Sequence, residues 1–147
     1  MKRETLKNVL DFLKEKENKK LPKKWFESVK LYKLVQKLEN HPDGVQYKHN
    51  GDLNLISSTI KNLPNGLYVG GSLGLIDCNQ LKKLPNDLYV WINLYLNALD
   101  IKEIPNNLYV DGNLFIWNTP LAEKYTDEEI YKIVASTGGK INGNIIR

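Results

Sequence analysis

The chain has 147 residues, 41% hydrophobic and 26% charged, with 21 Lys or Arg against 17 Asp or Glu and a formal net charge of +4. This composition predicts a single soluble domain; no apolar run approaches the ~18 residues of a membrane span, and the lone Cys78 excludes an internal disulfide. The total conceals an asymmetry: residues 1 to 40 carry 12 Lys or Arg against 6 Asp or Glu, a balance of +6, and residues 41 to 147 carry 9 against 11, a balance of −2. The start, Met1-Lys2-Arg3-Glu4, is charged where a signal peptide needs an apolar core, so an intracellular, cytoplasmic protein is expected.

Residues 1 to 41 show helical spacing. Leu6, Val9, Leu10 and Leu13 predict a helix over about 4 to 17. Trp25, Phe26, Val29, Tyr32, Leu34, Val35 and Leu38, after Leu21-Pro22, predict a second over 23 to 39. The pair forms a basic N-terminal cap, its second helix closing the open edge of the first strands of the chain. Lys19, Lys20, Lys23 and Lys24 cluster at the joint and are candidates for contact with phosphate. The competing reading is a solvated lysine-rich face with Glu15, Glu17 and Glu27 interspersed. Only Arg3 is available for bidentate base readout, so any nucleic-acid contact there is expected to be sequence-neutral.

From residue 42 onward a short motif returns five times: an aliphatic residue, a variable one, usually Gly, a small polar residue, then Leu or Ile. The copies are His49-Asn50-Gly51-Asp52-Leu53, Val69-Gly70-Gly71-Ser72-Leu73, Val90-Trp91-Ile92-Asn93-Leu94, Val110-Asp111-Gly112-Asn113-Leu114 and Ile141-Asn142-Gly143-Asn144-Ile145. Leu63-Pro64, Leu84-Pro85 and Ile104-Pro105 set the period at 21 and then 20 residues. The extra residue falls in the turn Ile76-Asp77-Cys78-Asn79-Gln80-Leu81. Self-similarity near 20 residues marks a solenoid, in which each coil gains its core only from its neighbours. Alternation with period 2 puts Leu67, Val69, Leu73 and Leu75 on one side of the backbone. The equivalents Leu88, Val90, Leu94, Leu96 and Leu108, Val110, Leu114, Ile116 repeat the pattern. Each coil should therefore hold two short parallel strands with a glycine corner between them.

Near the end, Thr126-Asp127-Glu128-Glu129 has capping-box spacing and predicts a helix over about 126 to 136 through Ile130, Ile133 and Val134, stopped at Thr137-Gly138-Gly139. Ile141 to Ile145 then adds a final strand, which makes that helix an insertion in the last coil. The expected fold is α+β: a short leucine-rich-repeat-like β-solenoid over residues 42 to 147, capped by helices at 1 to 41 and 126 to 136, as one folding unit.

The repeat L-P-x-x-L-x-V-x-G-x-L-x-L and its ending resemble the leucine-rich-repeat-like solenoids of tailed bacteriophages, whose terminal unit reads T-P-L-A-x-K-Y-T-D-E-E-I. Here that unit runs Thr119-Pro120-Leu121-Ala122-Glu123-Lys124-Tyr125-Thr126-Asp127-Glu128-Glu129-Ile130. The resemblance covers about residues 42 to 147 and departs at Ile92, where the family has Gly, and in the lengthened turn at Cys78. It implies a viral or bacterial source and a protein-binding scaffold rather than an activity.

Binding residues on a solenoid must come from its outward positions. Tyr68, Tyr89 and Tyr109 align in one outward column. Outward positions of the second strand and the turn after it hold Asn54, Gly74, Tyr95, Phe115 and then Ile56, Ile76, Asn97, Trp117, while Trp91 takes a slot filled by Gly70 and Asp111 in neighbouring coils. A column recurring in every coil fits a stacked ladder; aromatics confined to particular coils fit recognition. The candidate partner-binding residues are Trp91, Tyr95, Phe115, Trp117, Tyr89 and Tyr109. No catalytic residue, metal site or cofactor is expected, with only His41, His49 and Cys78 as candidates and no metal-ligand spacing. The leading expectation is a non-enzymatic scaffold, phage-encoded, that engages a host or viral protein as an anti-defence or host-interaction inhibitor. The alternatives are a nucleic-acid-associated accessory protein using the basic helices, and a self-assembling component whose patch pairs with another copy.

Overall fold

The computed structural model describes residues 7–8 and 23–147. The predicted helix over 4 to 17 lies outside these, apart from Lys7 and Asn8, which are helical; Lys19 and Lys20 also lie outside, and Lys23 and Lys24 open the first helix named here. That helix, α1, spans Lys23–Glu39, the range its apolar spacing predicts. It is followed by β1 (Lys48–His49), β2 (Leu53–Asn54), β3 (Tyr68–Val69), β4 (Leu73–Gly74), β5 (Tyr89–Val90), β6 (Leu94–Tyr95), β7 (Tyr109–Val110) and β8 (Leu114–Phe115). The chain closes with α2 (Pro120–Lys124), α3 (Asp127–Ser136), β9 (Lys140–Ile141) and β10 (Ile145–Ile146).

The strands stack into two parallel sheets, β1-β3-β5-β7-β9 and β2-β4-β6-β8-β10, so the fold is the expected parallel solenoid with two strands per coil. Register is set by the repeat: Tyr68 pairs with Tyr89 and Tyr89 with Tyr109, while Leu73 pairs with Leu94 and Leu94 with Leu114. In every strand from β2 to β10 one residue enters the core and its neighbour lies on the outer side, whereas β1 (Lys48–His49) contributes no core side chain. Val69, Val90 and Val110 of the first sheet face Leu53, Leu73, Leu94 and Leu114 of the second across one continuous buried core. Leu67, Leu75, Leu88, Leu96, Leu108 and Ile116 belong to the same core, as do Ile60, Leu81, Leu99 and Ile101 of the turns and Leu121 of α2.

The corners follow from backbone sterics. In L-P-N-x-L the variable residue takes positive φ, as Gly66, Asp87 and Asn107 do, and all three tolerate the left-handed region at low cost. At the motif corner the glycines answer to space: a Cβ on Gly112 would lie 2.3 Å from the Ile92 carbonyl oxygen, and one on Gly143 2.3 Å from that of Gly112. Ile92 departs from the pattern without opening the corner. Its N–H donates to the Gly71 carbonyl at 3.1 Å and its own carbonyl accepts from Gly112 at 2.7 Å, with the side chain turned to solvent. The extra residue of the second coil is absorbed after Cys78, at exposed Asn79 and Gln80, so the coils on either side keep register.

Both ends are closed. Val35 and Leu38 of α1 enter the core, with Leu31 and Leu34 packed against it, and Glu39 Oε1 accepts from the Lys61 N–H at 2.9 Å. At the other end α3 carries the predicted capping box, Thr126 and Glu129 bonding reciprocally, and buries Ile130 and Val134. The Tyr131 hydroxyl donates to the Gly143 carbonyl at 2.8 Å, where a further coil would place a backbone amide. Two details exceed the sequence reading. Residues 141 to 145, read as one strand, supply a strand to each sheet, and Thr119-Pro120 starts the short helix α2 with Thr119 as N-cap.

Candidate functional site

The six candidate aromatics do not form one patch. Tyr89, Tyr109 and Trp91 belong to the first sheet's outer face, and Tyr95, Phe115 and Trp117 to the second's, with the corner at residues 91 to 93 between them.

On the first face the tyrosines form the ladder their recurrence predicts. Tyr68 and Tyr89 stack with ring centroids 4.9 Å apart at 14°, and Tyr89 and Tyr109 at 4.4 Å and 6°. These distances match the ~4.8 Å strand spacing, so the stacking follows directly from parallel register. Lys48 Nζ lies 5.5 Å from the Tyr68 centroid at one end. At the other, Asn142 Nδ2 donates to Asp111 Oδ1 at 2.8 Å and to the Tyr109 hydroxyl at 3.1 Å. Trp91 leans on Tyr89 at 6.0 Å and remains 49% exposed. Partial burial, and then the neighbouring Tyr109, push the Tyr89 hydroxyl above its ordinary pKa of 10.0. Both faces of the Tyr89 ring are covered by Tyr68 and Tyr109, and each of those end rings has one face against Tyr89.

The second face is different in chemistry. Its outward strand positions are Asn54, Gly74, Tyr95, Phe115 and Ile146, and the turn positions beside them are Ile56, Ile76, Asn97 and Trp117. None of these nine is charged, in a chain where charged residues make up 26%. Tyr95 and Phe115 stack at 4.5 Å, with Asn93 Nδ2 donating to the Tyr95 hydroxyl at 3.2 Å. Trp117 is 60% exposed, so α3 does not cover it; Ile56 is 41% exposed and Ile146 37%. Asn97 Oδ1 accepts from the Trp117 N–H at 3.1 Å and fixes the turn that presents the indole.

The small polar residue of the motif, to which the sequence reading gave no role, forms a structural ladder. The Ser72 N–H donates to Asp52 Oδ1 at 2.7 Å, that of Asn93 to Ser72 Oγ at 3.2 Å, that of Asn113 to Asn93 Oδ1 at 2.8 Å and that of Asn144 to Asn113 Oδ1 at 2.8 Å. Its recurrence at one position in every copy was the available signal. A second ladder joins Asn65, Asn86 and Asn106 beside the prolines. These amides line an open, charge-mixed groove of about 730 Å³ with Lys82, Lys83, Asp100, Lys102 and Glu103.

The nucleophile and acid–base candidates are held by structural contacts. Cys78 is fully buried, its thiol donates to the Leu55 carbonyl at 2.9 Å, and burial raises its pKa above the ordinary 9.0. His49 Nε2 bonds the Asp52 carbonyl at 2.9 Å, and His41 Nε2 bonds that of Val45 at 2.7 Å. Among the described residues no group of three His, Cys, Asp or Glu side chains is placed to hold a metal ion, and no helix is long and apolar enough to cross a membrane. No family model, curated protein or solved structure matches the chain.

Proposed function

We propose that the protein is a non-enzymatic scaffold that binds another protein through the outer face of its second sheet. The observation that carries this reading is the uncharged strip of nine positions, on which Tyr95, Phe115 and the 60% exposed Trp117 stand beside Ile56 and Ile146. Exposed apolar surface costs solubility unless something covers it, and aromatic anchors dominate the energetics of protein interfaces. Tyr95 and Phe115 are pre-set by stacking on each other, so little freedom of those two side chains is lost when a partner arrives. The first face, with its internally satisfied tyrosine ladder, serves the fold. The resemblance to bacteriophage solenoids makes a bacterial host protein the partner class, and inhibition by occlusion the mode of action.

The test is retention of host proteins from a bacterial lysate by the tagged full chain, with and without nuclease. A folded Tyr95→Ala, Phe115→Ala, Trp117→Ala variant serves as control. A discrete protein that survives nuclease and is lost in the variant is the expected result. Nuclease-sensitive material indifferent to the three substitutions would overturn the reading and move function to the basic segment around Lys19, Lys20, Lys23 and Lys24.

A further inference from the structure

We infer that the protein also binds single-stranded nucleic acid, along a lysine strip on α1 and β1 that leads to Trp91 on the first sheet. This site lies apart from the second-sheet face and does not rest on the scaffold reading. Charge comes first. Residues 1 to 40 carry a balance of +6, and part of it is drawn into a line. Lys30, Lys33 and Lys37 of α1 are all exposed; at 3.6 residues per turn they fall within an arc of about 60° and cover about 10 Å of the helix axis. Val35 and Leu38 commit another side of the helix to the core. Exposed Lys48 of β1 continues the strip. Lys37 Nζ stands 5.5 Å from the Tyr47 ring centroid, and Lys48, the next residue along, holds its Nζ 5.5 Å from that of Tyr68. Among the described residues none of these four lysines forms an ion pair. Of the acids at this end, Glu27 and Glu39 fall outside the arc and Asp43 lies in the loop after the helix. Glu39 and Asp52 are each bonded to a backbone amide, of Lys61 and Ser72.

The rings select the kind of polyanion. From Lys48 the strip runs onto the first sheet, where β1 pairs with β3 and β3 with β5. Trp91, at the end of β5, is thus two strand spacings, or about 10 Å, from β1. Tyr68, Tyr89 and Tyr109 spend their ring faces on one another and keep their structural role. Trp91 stands beside Tyr89 with centroids 6.0 Å apart and is 49% exposed, so it offers an open aromatic surface at one end of a run of cations. Asp111, which holds the Tyr109 hydroxyl and Asn142 on the next rung, closes the strip with a negative charge. A cationic track leading to a stacking ring fits an unpaired strand, whose phosphates take the cations while a base takes the ring. A duplex keeps its base faces in its own stack and could use the lysines alone. An anionic membrane calls for apolar residues that insert beside the lysines, and the apolar side of α1 is spent on the core. Lysines act as point charges and lack the fork that reads base edges, so the site is tolerant of sequence.

Fluorescence anisotropy of a labelled oligo-deoxythymidine of about 12 nucleotides, titrated with the full chain at several salt concentrations, tests this. Wild type should bind at low salt, more tightly than it binds a duplex of the same length, and should lose affinity steeply as salt rises. Changing Lys30→Gln, Lys33→Gln and Lys37→Gln together should lower the slope of log affinity against log salt by about 2. Trp91→Ala should weaken binding about fivefold or more with the slope unchanged, and Trp91→Tyr should restore most of the loss. The folded Tyr95→Ala, Phe115→Ala, Trp117→Ala variant should bind the oligonucleotide as wild type does. Circular dichroism checks the fold of each variant, and the lysine set keeps the test open if Trp91→Ala does not fold. No binding at low salt, equal or tighter binding of the duplex, or full binding by folded Trp91→Ala would each overturn the inference. So would capture by phosphatidylserine vesicles or by polyglutamate in place of the oligonucleotide. Nuclease treatment strips this site and leaves the second-sheet reading to whatever protein survives it. A chain that retains such a protein but binds no oligonucleotide removes this inference alone, and the converse result removes the scaffold reading alone.

Discussion

Gly112 sits at a corner where two coils approach closely, hemmed by the Ile92 backbone and by Asn93 Oδ1. Gly112→Ala would press a methyl group to 2.3 Å from the Ile92 carbonyl oxygen, so the coils must part. The expected loss is about 2–4 kcal/mol of unfolding free energy by urea titration. At Gly70 the nearest atom to an added Cβ is 3.3 Å away, and Gly70→Ala should cost at most about 1 kcal/mol. Cys78 gives a second prediction at this scale. Its folded pKa is raised by burial, so above about pH 9, the thiol's ordinary value, the unfolded chain sheds its proton first and the folded state loses ground. Stability should be flat below that pH and fall as pH rises toward the folded value. The raised pKa of Tyr89 adds loss of the same sign beginning nearer its ordinary 10.0. Urea titrations at pH 7 and pH 10 should show the drop, and Cys78→Ser should reduce it; an unchanged slope in the variant would rule the thiol out as its source.

Stacked elements stabilise one another where like residues meet across the rungs, as Tyr68, Tyr89 and Tyr109 do. Tyr89 has a ring on either side and Tyr68 a ring on one, so Tyr89→Ala should destabilise by about 1–3 kcal/mol and clearly more than Tyr68→Ala, as thermal or chemical denaturation would reveal. The elements themselves were largely legible. Period-2 alternation fixed which side of each strand is buried, and the 3.6 spacing from Trp25 to Leu38 located α1, because both periods follow from local backbone geometry. The capping box at Thr126 was equally local. What escaped needed three-dimensional neighbours. The Asp52, Ser72, Asn93, Asn113 ladder bonds residues about 20 apart, and the corner at Trp91 parts Tyr89 and Tyr109 from Tyr95, Phe115 and Trp117. The two strands around Asn142-Gly143-Asn144 were merged because two-residue strands are too short to show a period. For the site, the alternation named the outward aromatics; their division between two faces emerged only once the coils were stacked.

A rung cannot stand alone, since its Leu and Val side chains find cover only on the rungs above and below. Leu94→Ala, in the central rung of the second sheet, should therefore cost about 2–5 kcal/mol and lower a single transition. Circular dichroism and tryptophan fluorescence should trace the same curve, and separated curves would mean the rungs melt independently. The same stacking has a consequence for how such a molecule changes over time. In each two-residue strand of the second sheet one side chain is committed to the interior: Leu53, Leu73, Leu94, Leu114 and Ile145. Its neighbour is released outward, where the same backbone position holds Asn54, Gly74, Tyr95, Phe115 and Ile146. Mutation can drift through the outward set while the inward set holds the architecture, so new specificities are reachable one substitution at a time without passing through an unfolded ancestor. The same five positions are the natural choice for a randomised library.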